Sequence, residues 1–529
     1  MRYLIFTILS LFFIATHTFA QRVVAVAPGI GTLEETIFGD TTATGERVDA
    51  NTIYELRRGF PYLIQSTLQY DDFHLHLRAQ EGAGARPIIL QSVASGGEAL
   101  DQLIRVNGEG SLTVEGIHLT GRTSLGSYND RAIRINADEA RIIVDDCVIE
   151  EIGQAGIRIQ GDDLKIYVIN TLFNRMGRTT NPDNGRMFDN RGVPIDTLWV
   201  ENCVAYNVTS RFYRQGGSEP SINWARFNQN TFWGCGQHAF DFEEVTDLEF
   251  TNNIVFNTVF FGRDLEDQYI NSDLSMPDPE GRYTIEIDTF IEGETDILIS
   301  HNNFHLDQEL IDDLPLQSEF GMGDTLTSME DFVFDPEAQM AIEATGTADT
   351  NIDEDLEFSM PAPLPIDFMI AAVQDTTSGN EIPDAPAWDM SDLMAWPFYS
   401  TGLGIDLDRY IEFHDFGYPS SSASFTAGTE GQPIGADITG FTNVSDVFVG
   451  KNILYYPNPT VEQIMIQNLE GWKLERVMIF DMNGRLMRDT REVNDELITI
   501  DTQNLTSGTY IITLVDSQGN MSSKKFLKK

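Results

Sequence analysis

Small polar centres flanked by apolar residues recur along the first three fifths of the chain. Val144-Asp-Asp146-Cys-Val148, Val168-Ile-Asn170-Thr-Leu172 and Val200-Glu-Asn202-Cys-Val204 share one template. Phe227-Asn-Gln229-Asn-Thr231, Phe250-Thr-Asn252-Asn-Ile254 and Ser300-His-Asn302-Asn-Phe304 continue it. The centres lie 24, 32, 27, 23 and 50 residues apart. Coils near 23 residues, with insertions and one double step, predict a right-handed parallel β-helix in which each strand stacks on its counterpart at about 4.8 Å. An Asn pointing inward at such a bend bonds its neighbours above and below and satisfies backbone groups there. The column Asp146, Asn170, Asn202, Gln229, Asn252, Asn302 therefore reads as structural.

The register also bears on the cysteines. Cys147 and Cys203 share a column but stand two coils apart, about 9.6 Å, beyond the roughly 7 Å that a disulfide spans. Cys235 falls elsewhere in the template. Three cysteines in 529 residues do not make a disulfide scaffold.

The last 77 residues have a different pattern: three alternating runs with turn signals at Asn483-Gly484, Ser507-Gly508 and Gln518-Gly519, as in a small Ig-like antiparallel sandwich. The fold class is thus all-β, a right-handed parallel β-helix followed by an Ig-like β-sandwich. Tyr456-Pro457-Asn458-Pro459, Phe480-Asp481-Met482-Asn483-Gly484-Arg485, Leu505-Thr506-Ser507-Gly508-Thr509-Tyr510 and the basic end Lys524 to Lys529 stand in this tail. It resembles the C-terminal sorting domain of the bacterial type IX secretion system. That resemblance implies export from a Bacteroidetes-like bacterium, engagement of the type IX machinery through 453–529, removal of the domain, and release or attachment to surface lipopolysaccharide.

At the other end, residues 1–20 read as a signal peptide, with Arg2 ahead of an apolar stretch and Thr18 and Ala20 before a cleavage site. The boundaries are 1–20 signal peptide, 21–304 β-helix body, 305–440 acidic irregular coils or cap, 441–452 linker and 453–529 sorting domain. No later stretch is long and apolar enough to predict a transmembrane segment.

A net charge of −48, from 34 basic and 82 acidic residues, argues against nucleic acid as a partner. The acids are uneven. Residues 305–416 hold 26 acids and the single base Arg409, with prolines at 361, 363, 365, 383, 386 and 397 that argue against regular strands. No EF-hand pattern occurs there, so Ca²⁺ binding is open and no metal ligands are specified. By contrast, residues 121–226 hold 13 basic and 14 acidic residues.

The opening Gly31-Thr32-Leu33 and Gly59-Phe60-Pro61-Tyr62, then Met187-Phe188-Asp189-Asn190-Arg191-Gly192, Ser210-Arg211-Phe212-Tyr213-Arg214 and Gly431-Gln432-Pro433-Ile434-Gly435-Ala436, resemble surface β-helix proteins of the pectate-lyase-like superfold. The likeness covers roughly 22–440 and speaks to fold more than to activity.

Serine-hydrolase, phosphate-loop, zincin and Cys-x-x-Cys signatures are absent. His74 and His76 share a strand face, which belongs more often to a solvated surface than to a metal site. The basic island is more informative. Lys165, the only lysine before residue 451, neighbours Arg141 on the adjacent coil. Arg134 and Arg158, each between isoleucines, should point outward, with Asp189, Tyr213 and Asp241 at comparable points of later coils. Insertions add Arg178, Arg186, Arg211 and Arg214 beside Phe212 and Tyr213. Guanidinium groups and aromatics along a groove suit an acidic sugar chain. A lyase on uronate-containing polysaccharide needs a base and a cation that neutralises the carboxylate. Lys165, Arg191, Arg211 and Arg214 are the catalytic candidates, and Arg134, Arg158, Arg186, Tyr213 and Asp241 the substrate-binding ones. A two-carboxylate hydrolase is open too, but no pair stands out among the acids. The alternative class is a non-catalytic glycan-binding or adhesion protein of the cell surface.

Overall fold

The computed structural model describes residues 21–258 apart from short stretches at 83–84, 94–96, 124–126, 178–183, 217–220 and 237–238. It also describes 283–289, 295–307, 333–362 except 348–349 and 360, the pairs 399–400 and 404–405, 415–437, and most of 453–529. The signal peptide, Arg178, most of the acidic proline stretch, the 441–452 linker and the turns at Asn483-Gly484 and Gln518-Gly519 lie outside the described residues.

The body is a parallel β-helix. Among the described residues its strands form an 18-stranded and a 10-stranded sheet, and each coil runs over three faces. One coil shows the plan: Leu164–Ile169 on the first face, Leu172–Met176 on the second, Arg186–Asn190 on the third, then Ile195–Glu201 back on the first. Because side chains alternate along a strand, Ile142, Ile166, Leu198, Ala225 and Leu248 stack inward in one register row, and Val144, Val168, Val200, Phe227 and Phe250 in the next. Burial of such a side chain contributes roughly 1.5–3 kcal/mol, and the row repeats it every coil. Helix α1 (Thr32–Gly39) buries Leu33 and Ile37 over the first coils, and helix α2 (Pro336–Thr345), capped by Asp335, packs against Ile285–Thr289 and Asp296–Ser300 at the other end.

The corner from first to second face varies in the first coils, where 57–60 and 80–87 separate the strands, and is uniform from there on. It is then made of two residues each time, at 116–117, 146–147, 170–171, 202–203, 229–230, 252–253 and 301–302. The first residue of each pair is left-handed, with φ from 49° at Asn170 to 68° at Gly116, a conformation that Gly, Asn and Asp tolerate best. The second residue points inward and is fully buried: Ile117, Cys147, Thr171, Cys203, Asn230, Asn253 and Asn302.

This corrects the expected ladder. Asp146, Asn170, Asn202, Gln229 and Asn252 are the half-exposed bend residues, His301 continues their column, and Asn302 belongs to the inward one. The inward ladder runs one residue later. Asn230 donates its Nδ2 to Asn253 Oδ1 at 2.9 Å, Asn253 to Asn302 Oδ1 at 3.0 Å, and Asn302 to Asn351 Oδ1 at 3.0 Å. The same oxygens accept the backbone N–H of the coil before. Nor is the 50-residue step a double coil, since Asp247–Thr251 pairs directly with Asp296–Ser300. Cys147 and Cys203 do share the inward column with Thr171 between them, and all three cysteines are free and buried.

Residues 351–359, 361–362 and 415–437 run back across the outside of the second face. Leu356, Ala362, Phe416 and Ile434 pack on Val204, Tyr206, Trp233 and Ile254, and Trp233 Nε1 donates to the Ala362 carbonyl at 2.8 Å. Backbone N–H groups of Thr429 and Asp437 donate to Asn252 and Asn202 of the bend column.

The tail forms a three-stranded and a four-stranded antiparallel sheet around one core of Ile464, Ile466, Val477, Ile479, Ile498, Ile500, Ile512 and Leu514. Among the described residues no helix is long and apolar enough to cross a membrane.

Candidate functional site

The corner from second to third face is irregular. Its connections are short at 153–154 and 209–210 but long at 92–101, 121–130, 177–185 and 259–284. In solenoids, insertions gathered at one edge commonly mark the binding side. The third-face strands that follow these connections carry the basic residues.

Parallel register puts Arg105, Arg134, Arg158, Asp189, Arg214 and Asp241 in one outward row across six coils. A second row, at the strand starts beside the insertions, holds Gln102, Arg131, Ala155, Arg186 and Arg211. The hub is Asp189, whose side chain is fully buried. It receives Arg158 Nε at 2.8 Å, Arg186 Nη1 at 3.1 Å, Arg214 Nη1 at 3.4 Å and Arg191 Nη1 at 3.7 Å. Burial alone raises its pKa, but Arg186, Arg158, Arg214 and Arg191 outweigh that and hold the carboxyl below the usual range. Arg211 pairs instead with Asp241, 3.1 Å away. Gly216 admits this packing, because a Cβ there would lie 2.5 Å from Arg214 Nη1.

Several arginines crowd one another. Burial first, then Arg158, with Arg134 adding to it, pushes Arg131 down to about 10. Arg131 is 7 % exposed, donates to Gln154 Oε1 at 2.6 Å, and keeps a buried Nε with no partner. Arg134 is lowered by burial and then by Arg105 and Arg158. The face thus holds cation in excess of its own acids, within a chain of charge −48.

The structure brings Arg134, Arg158, Arg186, Arg191, Arg211, Arg214 and Asp241 to this one face. Tyr213 is a correction: its ring is fully buried, stacked 5.0 Å from Phe242, and in register with the inward Phe188 and Phe240. Arg214 occupies the outward position instead. The strand Arg211–Gln215 buries both Phe212 and Tyr213, Phe212 packing under the corner on Phe232 and Phe240, so simple alternation misplaces the row by one residue. Lys165 lies on the first face, next to Arg141 in register, exposed and 3.4 Å from Asp196. It is not part of the arginine rows. His74 and His76 are held by Ser111 and Glu115, and the described residues contain no group of three His, Cys, Asp or Glu placed for a metal ion.

One feature of the first face escaped the sequence reading. Tyr167, Trp199 and Arg226 are in register on successive coils, with Trp224 one strand position pair away. Tyr167 and Trp199 lie 6.3 Å apart and Trp199 and Trp224 5.4 Å, all partly exposed. Trp199 Nε1 donates to Glu201 at 2.7 Å, and Arg226 sits 5.0 Å over its ring. Tyr167, Trp199 and Arg226 each stand three residues before a bend residue, so the template itself carried the signal.

A family model described as the secretion system C-terminal sorting domain matches residues 454–529. Comparison with curated proteins finds no match. The chain therefore carries a type IX sorting domain behind a parallel β-helix body, and it is a secreted or outer-surface-attached protein of that system.

Proposed function

We propose that this exported β-helix protein binds an acidic polysaccharide along its third face, beside the long connections of the second-to-third corner. The observation that carries the reading is the convergence of four arginines on the single buried Asp189, flanked by further arginines in the same register. Guanidinium forks match carboxylate and sulfate oxygens in geometry as well as charge. A body this acidic would repel a polyanion over a Debye length of about 8 Å, so a local cationic field is needed for approach. The half-exposed Tyr167, Trp199 and Trp224 on the adjoining face add ring surface against which a sugar could lie.

A second reading is a lyase on uronate-containing chains in the manner of the pectate-lyase-like superfold, favoured by the arginines gathered around Asp189, which could neutralise a uronate carboxylate beside the scissile bond. Arg191 and Arg214 are tied to Asp189 and serve better to neutralise a sugar carboxylate than to accept a proton. Binding by the exported chain to alginate, pectate and glycosaminoglycan oligosaccharides, with loss of affinity at raised salt, tests the first reading. Ultraviolet absorbance of an unsaturated product, followed with and without Ca²⁺, tests the second. Equal affinity for neutral and acidic chains removes the first, and absence of product on every chain removes the second.

A further inference from the structure

The outward row of the third face is not uniformly compensated. Arg158 and Arg214 have Asp189 between them, whereas Arg105 and Arg134, one coil apart, are not ion-paired with any described carboxylate. They are not idle side chains. Arg105 Nε donates to Asn107 Oδ1 at 3.0 Å, Arg134 Nε donates to Asn136 Oδ1 at 3.2 Å, and Asn136 Nδ2 donates on to Asn107 Oδ1 at 3.3 Å. The Asn pair thus fixes both guanidinium groups by the inner nitrogen. Their backbones are register partners on adjacent strands, about 4.8 Å apart. Arg131 lies beside Arg134 on the same strand, nine-tenths buried, with an unpartnered Nε. After burial, the Arg105 charge is the largest influence holding Arg134 down, with Asp101 opposing it less strongly, and an anion between the two guanidinium groups would relieve that repulsion.

We propose that Arg105 and Arg134 form an oxyanion site, preset by Asn107 and Asn136, that takes the sulfate ester or carboxylate of a bound sugar chain. The proposal rests on the glycan reading above for its natural ligand, and on the arginine pair alone for its chemistry. A tetrahedral sulfate presents oxygens to both forks at once, while a carboxylate fills one fork in bidentate fashion.

The test uses the exported chain and its Arg105→Gln/Arg134→Gln variant, with Arg105→Gln alone as a milder companion. Inorganic sulfate is titrated against chloride at equal ionic strength while the melting temperature is followed. The wild type is expected to show a saturable rise on top of the general, non-saturating effect of sulfate, and the variants only the latter. Identical curves for wild type and both variants overturn the site. Oligosaccharides bearing sulfate, carboxylate or neither are then compared. The double variant is expected to lose roughly tenfold or more in affinity for the charged chain that the site prefers, with the neutral chain unaffected. A saturable sulfate effect lost in the variants, without binding of any charged glycan, upholds the oxyanion site and removes the glycan reading.

Discussion

Two corners of the same solenoid follow opposite rules. From first to second face, every turn from 116–117 onward has two residues, a left-handed bend followed by a fully buried side chain, and in the later coils that side chain is an Asn bonded to its counterparts on either side. From second to third face, connections range from two residues to the whole of 259–284, and charged side chains gather on the strands just beyond them. The first corner satisfies backbone groups with neutral amides, which need no counter-charge. The second holds guanidinium groups around Asp189 and leaves others with no carboxylate partner. A buried amide ladder can be complete within the protein, whereas surplus guanidinium groups stay open to water or to an anion. On the proposed function, the regular corner is scaffold and the irregular one is where the sugar chain binds.

If that division is right, the inward ladder is where one substitution does most harm. Asn253 accepts from the backbone and side chain of Asn230 and donates to the Phe227 carbonyl and Asn302. Asn253→Leu strands several buried polar groups at about 1–3 kcal/mol each, so a loss on the order of 5 kcal/mol is expected in denaturant unfolding. A loss below about 1 kcal/mol would mean that the ladder is not what joins the coils.

Asp189→Asn should follow, at about 3–5 kcal/mol, because it leaves four arginines around a neutral amide in a buried site. The pH dependence has a definite sign. The folded carboxyl titrates below its unfolded value of about 3.9, so its contribution is complete above that pH and is lost as pH falls through the folded pKa. The gap between wild type and Asp189→Asn is therefore expected to close in strong acid. A gap that stays constant from neutral pH to about pH 2 would show that Asp189 is not the counter-charge of the cluster.

The parts of this comparison were unequally legible in the sequence. The repeating template gave the β-helix, its register and the pairing of Lys165 with Arg141, because stacking forces the same residue class into the same position on every coil. It misplaced the inward ladder by one residue, since Asp146-Cys147 and Asn252-Asn253 are both two-residue bends and composition alone does not say which member turns and which points in. The arginines were visible as an island of balanced charge, but their convergence on Asp189 depends on which coil each insertion follows. Tyr213 was misread because alternation fails where Phe212 is also buried.

Binding should respond to the third face and leave the ladder untouched. Arg214→Ala is expected to weaken an acidic oligosaccharide by about 1–3 kcal/mol, read by calorimetry at low salt, with melting temperature nearly unchanged. Gly216→Ala should give a smaller loss in the same direction, since its added methyl displaces the Arg214 guanidinium without removing its charge. An effect of Gly216→Ala larger than that of Arg214→Ala would place the backbone turn itself, rather than the guanidinium, against the sugar.

The smallest effect belongs to the bend column, and it separates the two residues of one turn. Asn202 has φ 54° and is half-exposed; its Nδ2 donates to Asn170 Oδ1 at 2.7 Å and its Oδ1 accepts the Asp437 N–H at 2.6 Å. Asn202→Gly removes both bonds, but water can replace them at this exposure, and Gly occupies the left-handed region without the strain an L side chain carries there. The two changes nearly offset, so the expected loss stays within about 1 kcal/mol, against several for Asn253→Leu. What Asn202→Gly should alter is the returning segment: without its acceptor, the Asp437 N–H is expected to exchange with solvent faster, as followed by hydrogen exchange, while Asn230 and Asn253 amides stay protected. A large loss of stability, with the ladder amides exchanging as well, would make the bend column part of the scaffold on equal terms and dissolve the distinction between the turning and the inward residue.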